Sequence, residues 1–194
     1  MRRVVVTGLG MVTPLGDGVQ HCWDRLLNSE SGVSAIDSFD VSDLPAKVAA
    51  RVPTGTEAGE FDAVKYVSSK DTRRMDQFII FALGAAIQAV EDSGWKPERE
   101  EDQDRSGVMI GSGIGGLQTI ETGAILVHEN GPRRLSPFFI PSSLINLASG
   151  HVSIRYGFTG PNHSVVTACS TGAHAIGDAA RLIMLDDADR KSVV

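Results

Sequence analysis

One cysteine carries the strongest chemical signal in this chain. In Val165-Val166-Thr167-Ala168-Cys169-Ser170-Thr171-Gly172 a thiol stands where a β-branched run gives way to small, helix-compatible residues. A thiol at the start of a helix lies at the positive end of the macrodipole, which favours the nucleophilic thiolate. The unpaired N–H groups of that helix end can also stabilise an oxyanion. Acyl transfer is therefore the chemistry such a junction could support. A buried structural cysteine would leave the same local signature, and both readings stand on these residues alone. Cys22 sits on an apolar helix face with nothing nearby to activate it, and reads as packing.

The other reactive side chains add little. His163 and His174 flank Cys169 in sequence, and either could approach it as in a Cys–His hydrolase. Neither has the spacing of a metal-ligand pair, and His21, His128 and His151 add none. Ser170 lacks the G-x-S-x-G context of a serine hydrolase. Residues 111–116 (GSGIGG) match G-x-G-x-x-G between an expected strand and an expected helix, the pattern of a dinucleotide site. Such a site also wants an acid at the end of the next strand, and Glu129 has the spacing but no strand ahead of it. Lys70, Arg73 and Arg74 form one basic cluster, and Arg133 with Arg134 a second. These charges form either a solvated face or a docking surface for an acidic partner.

The elements that must position these groups alternate. Short apolar runs at 4–6, 108–110 and 165–168 read as strands, the last leading directly to Cys169. Helices are expected at 17–27, 71–93, 117–129, 142–154 and 170–185, with loops and short strands over 28–66 and a loop over 131–141. Met75, Ile79, Ala82, Leu83, Ala86 and Val90 make an apolar stripe on the long second helix. The small residues from Gly172 to Ala180 predict a last helix that is buried and tightly surrounded. Strands alternating with helices imply an α/β fold with a largely parallel core.

Composition bounds the rest. The 194 residues suit one domain. The net charge of −6 argues against a general nucleic-acid or anionic-membrane binder, and no apolar run approaches a membrane span. Two cysteines form no disulfide framework, so a reducing cytoplasm is expected. Glycine is in excess at 21 residues, scattered rather than periodic, which points to tight turns and close backbone approach.

The segment Thr167 to Gly172, with Ala175-Ile176-Gly177 after it, closely resembles the active-site segment of β-ketoacyl-[acyl-carrier-protein] synthases. Residues 4–10 with Pro14, 111–117, SPFFIPS at 136–142, Gly150-His151 and Gly160-Pro161 resemble the same family. The resemblance spans nearly the whole chain and points to the long-chain elongation type. It implies a thiolase-like fold, layered α-β-α-β-α and built from two similar halves, of which residues 1–194 would be the N-terminal one. It also implies fatty-acid elongation by decarboxylative Claisen condensation. Cys169 would take the acyl group from its carrier, and malonyl-carrier would lose CO₂ and attack. Gly113, Ile114 and Phe139 match acyl-tunnel positions, Phe139 reaching the tunnel of a second subunit, so a homodimer is implied. Lys70, Arg73, Arg74, Arg133 and Arg134 match positions that dock the acidic acyl carrier protein. No resident cofactor or metal is implied, because phosphopantetheine arrives on the carrier.

The family's second half, which supplies two catalytic histidines, a lysine and the other oxyanion donor, has no counterpart here. A truncated chain unable to complete condensation alone is the expectation. A catalytically inactive, dimerising partner and a dinucleotide-binding domain are the rival readings.

Overall fold

The computed structural model describes residues 2–193. Two short antiparallel ribbons, β1 (Val12–Thr13) with β2 (Gly16–Asp17) and β3 (Val33–Ala35) with β4 (Val48–Ala50), lie in the first third. Helix α1 (Val19–Leu27) joins the two ribbons, and α2 (Ala63–Tyr66) is a single turn. The helix α3 (Gln77–Ser93) follows, then α4 (Glu100–Asp104) and strand β5 (Ser106–Met109). Helices α5 (Leu117–Asn130), α6 (Phe139–Ser143) and α7 (Leu147–Tyr156) lead to β6 (Asn162–His163), and α8 (Thr171–Met184) leads to β7 (Arg190–Val193). The last three strands form one parallel sheet in the order β6-β5-β7, with Val108 opposite both Asn162 and Ser192.

Helix α3 organises the core. Ile79, Leu83, Ala86 and Val90 are buried at helical spacing and pack with Val108 of β5, with Ile110 just after it, and with Ala148 and Val152 of α7. The helix begins at Gln77 rather than Asp71, because Met75 is extended and the Asp76 side chain caps the first turn. Residues Thr72–Arg74 form a separate 3₁₀ turn. Gly94 closes the helix with φ of 64°, a left-handed C-cap that glycine adopts without steric cost.

At one edge of α3, Tyr66 Oη donates to Asp17 Oδ2 at 2.8 Å. Gln88 Nε2 donates to Asp17 Oδ1 at 2.7 Å and to Tyr66 Oη at 3.1 Å. Burial, reinforced by the Asp17 carboxylate, pushes the Tyr66 phenol up to about 12.

Several sequence expectations shift. Residues 4–6 form no strand, and Val5 and Val6 are exposed. A buried strand needs a ladder, and both sides of β5 are taken by β6 and β7. The segment instead hangs on α3, with Leu9 N donating to Asp92 Oδ2 and Met11 N to Gln88 Oε1. A Cβ at Gly10 would lie 1.8 Å from Ala85 O, so this approach demands glycine.

The helix expected at 142–154 splits into α6 and α7. Ser143 Oγ donates to Phe139 O at 2.7 Å and Ser142 Oγ to the same oxygen at 3.0 Å, and Leu144 is extended. The strand expected at 165–168 lies earlier, at Asn162–His163. Ser164 Oγ donates to Ile110 O and so takes an acceptor that a longer ladder would use. Helix α8 is buried only along Thr171, Ala175 and Ala179, against the expectation of a surrounded helix. Its stripe meets Met109, Val165 and Leu182, while Ile176 is exposed. A further strand, β7, follows α8.

Candidate functional site

Cys169 is the middle residue of a 3₁₀ turn, Ala168–Ser170, that runs straight into α8. The turn is tied by Thr171, which is buried. Its Oγ1 accepts from Thr167 N at 2.9 Å and donates to Ala168 O at 2.7 Å. Ser170 N donates to Thr167 O at 3.1 Å. Ala168 is held at φ of 50°, a left-handed conformation that costs a β-carbon residue of order 1–2 kcal/mol. The result is a sharp corner that presents the Cys169 thiol, free and exposed, at the positive end of α8.

The 111–116 loop packs against this corner. A Cβ at Gly111 would lie 2.1 Å from Thr171 Cγ2 and 2.6 Å from Val165 O, which glycine alone avoids. A Cβ added at Gly113 would stand 3.6 Å from Cα of Ala168, the residue before Cys169, which is ordinary van der Waals distance. Gly115, at φ of 83°, donates its N–H to Ser112 Oγ at 3.0 Å. Beyond the loop, the start of α5 is already capped. Thr119 N and Oγ1 donate to Asp76 Oδ2 at 3.0 and 2.7 Å. A dinucleotide would place pyrophosphate at this helix end. A protein carboxylate stands there instead, so the glycine pattern serves close packing.

The acyl-tunnel candidates are not gathered into one cavity. Gly113 lies near the Cys169 turn, and Ile114 beside it is 64% exposed. Phe139 lines a separate cavity of about 500 Å³ with Arg73, Ile80, Leu126 and Phe138, where its ring leans on Gly123. That cavity's lining contains neither Ile114 nor Cys169. The basic candidates fall on two 3₁₀ turns, Thr72–Arg74 with Lys70 just before it, and Pro132–Arg134. Arg73 and Leu135, the residue after Arg134, line the same cavity, and Arg74 lies 4.6 Å over the Phe138 ring. Lys70, Arg73, Arg133 and Arg134 are exposed.

His174 Nδ1 lies 3.4 Å from Thr167 Oγ1 and its Nε2 3.1 Å from Asp178 Oδ2, and His163 belongs to β6. No cluster of metal-ligating side chains occurs among the described residues. Thr171, Ala168 and Asp76 escaped the sequence reading. Only Asp76, an acid directly before an apolar helical run, left a signal there.

The sequence profile described as the N-terminal domain of β-ketoacyl synthases matches residues 1–190. The chain is 57% identical over 190 residues to 3-oxoacyl-[acyl-carrier-protein] synthase 2 of Rhizobium meliloti, covering 97% of this chain and 45% of that protein. Its fold matches a β-ketoacyl synthase from Burkholderia phymatum with a TM-score of 0.76 at 25% identity, over 97% of this chain and 45% of the other. It also matches a type II polyketide ketosynthase, solved in complex with its acyl-carrier protein, with a TM-score of 0.74 at 24% identity, over 97% and 48%. The architecture is thus that of the thiolase-like ketosynthases, and the chain spans about half the length of the relatives it matches.

Proposed function

The chain belongs to the β-ketoacyl synthase family through its N-terminal domain, and we propose that it carries the acyl-accepting half of a fatty-acid elongation reaction. The observation that carries this reading is the Cys169 corner: an exposed thiol at a helix start, on a turn locked by Thr171 and backed by the 111–116 loop. The Cys169 thiolate attacks the carbonyl carbon of an acyl-carrier thioester. The carbon–sulfur bond to the carrier breaks, and the carrier's pantetheine leaves as a thiolate that takes up the proton lost when Cys169 ionised. N–H groups at the start of α8 stabilise the tetrahedral oxyanion between these events.

In the second stage malonyl-carrier loses CO₂ and its carbanion displaces Cys169 from the acyl carbonyl. That stage draws on histidines the family holds in its second half. Ile114 and Gly113 face the acyl chain, while Phe139 serves the chain of a second copy in a homodimer. The phosphopantetheine arrives on the carrier, and no resident cofactor takes part.

The acidic carrier docks on Lys70, Arg73, Arg74, Arg133 and Arg134. Support comes from one cavity lined by Arg73 of the first basic turn and by Leu135, the residue after the second, and from the carrier complex formed by the structurally similar polyketide ketosynthase. No helix among the described residues is long and apolar enough to cross a membrane. Two cysteines without a disulfide framework support placing the reaction in a reducing cytoplasm.

Incubation with a long-chain acyl-carrier thioester, followed by mass spectrometry, tests the reading. An acyl adduct on Cys169 that disappears in Cys169→Ala is expected, and an unmodified Cys169 overturns it. Arg73→Glu with Arg134→Glu is expected to raise the carrier concentration for half-maximal acylation about tenfold, and to leave acylation by a small carrier-free thioester unchanged.

A further inference from the structure

Asp76 is a buried carboxylate to which the acyl-transfer reading gives no task. It is the N-cap of α3, with Oδ1 accepting from Phe78 N at 3.4 Å. Its Oδ2 accepts from both the N–H and the hydroxyl of Thr119, the third residue of α5. This is an N-cap supplied by a different helix, and α5 requires one. Its own cap residue is Gly116, which has no side chain to offer. The first N–H groups of a helix lack internal partners, and a carboxylate there also offsets the dipole. One carboxylate thus holds the starts of two helices together.

What lies next to each helix start gives the cap its consequence. Just before Asp76 is the basic turn with Arg73 and Arg74. Just before Thr119 is the 111–116 loop. Its Gly116 lies so near that a Cβ there would be 3.1 Å from Asp76 Oδ2, and its Gly111 lies so near the Cys169 corner that a Cβ there would be 2.1 Å from Thr171 Cγ2 and 2.6 Å from Val165 O. A tie between the two helix starts is therefore also a tie between the basic turn and the corner bearing Cys169.

We propose that Asp76 is a positioning residue for acyl transfer, fixing the 111–116 loop against the Cys169 turn by capping α5 from the start of α3. The inference rests on the acyl-transfer reading of Cys169.

The test uses single-turnover acylation of Cys169 over a range of carrier concentrations, with amide hydrogen exchange beside it. Asp76→Asn keeps the side chain's size and removes one acceptor oxygen and the charge. Thr119→Val removes only the hydroxyl contact, and Thr119→Ser keeps it. The maximal acylation rate is expected to fall about tenfold in Asp76→Asn and about threefold in Thr119→Val, with half-saturation within about twofold and Thr119→Ser restoring the parent rate. Exchange is expected to quicken at least about threefold at residues 113–119 and also at 168–171, which Asp76 does not touch.

An unchanged maximal rate in folded variants, a loss confined to half-saturation, or exchange confined to the first turns of α3 and α5 would overturn the proposal. If Asp76→Asn does not fold, the Thr119→Val and Thr119→Ser pair decides by the same readouts. If the parent chain does not acylate at all, the acyl-transfer reading falls, and exchange at 168–171 alone decides whether the tie exists.

Discussion

Helices α3 and α8 both carry runs of small residues, and the structure treats them in opposite ways. Around Gly84, Ala85 and Ala86 every direction is filled: a Cβ on Gly84 would meet Phe61 Cε2 at 2.5 Å, and Ala86 is fully buried. Around Gly172 and Gly177 there is nothing within 4 Å of an added Cβ, and Ile176 between them is 60% exposed. Small residues allow close approach; they do not supply the neighbour. In α3 the neighbours are α2, α7, β1 and β7. In α8 the β5 side is covered and the opposite face is open. Val166 and Ile114, on the segments before and beside the Cys169 turn, are exposed as well.

The contrast can be broken most directly by truncating one side chain on each helix. Ile79→Ala removes a fully buried group from α3 and is expected to cost about 3–4 kcal/mol in denaturant unfolding. Ile176→Ala on α8 is expected to change stability by less than about 0.5 kcal/mol. Equal losses would show that the two helices are packed alike.

Adding a methyl is the smaller test. Gly84→Ala pushes against a Phe61 ring already stacked on Tyr66 and set edge-on to Phe81, and is expected to cost about 1–3 kcal/mol. Gly177→Ala, in open space, is expected to stabilise α8 by about 0.5–1 kcal/mol through helix propensity. Opposite signs from the same substitution would be the sharpest form of the comparison.

A pH-dependent effect belongs to the edge of α3. The Tyr66 phenol titrates near 10 when unfolded and is raised to about 12 by burial and by Asp17. The folded state therefore holds this proton more tightly, and the associated stability is present below pH 10 and lost as pH rises from 10 to 12. Unfolding curves of the parent and of Tyr66→Phe are expected to converge over that range.

The readable parts of the sequence were those fixed by local pattern. The α3 stripe, the span of α5 and the helix after Cys169 all follow from apolar spacing and small residues. The mistaken parts depended on partners. Residues 4–6 have strand composition but no free ladder beside β5. At 165–168 the strand composition is real, yet the chain must turn a corner to present Cys169, and Ala168 takes up the left-handed conformation that the corner needs. Cys169 was legible as a helix-start thiol. The locking of its turn by Thr171 was not, because a threonine hydroxyl bonding across four residues has no composition of its own. The Asp76–Thr119 contact spans 43 positions, beyond the reach of any periodicity.

The parallel sheet has a consequence for the order in which the molecule assembles. Its middle strand, β5, must wait for β6 and then for β7, whose four residues are the last ones described. As the polypeptide emerges during synthesis, α3 and its caps can settle from nearby contacts, while β5 keeps one edge unpaired until residues 190–193 arrive. Distant pairings of this kind are slow to form. The nascent chain thus carries an open strand edge on β5 from the synthesis of Met109 until residues 190–193 arrive.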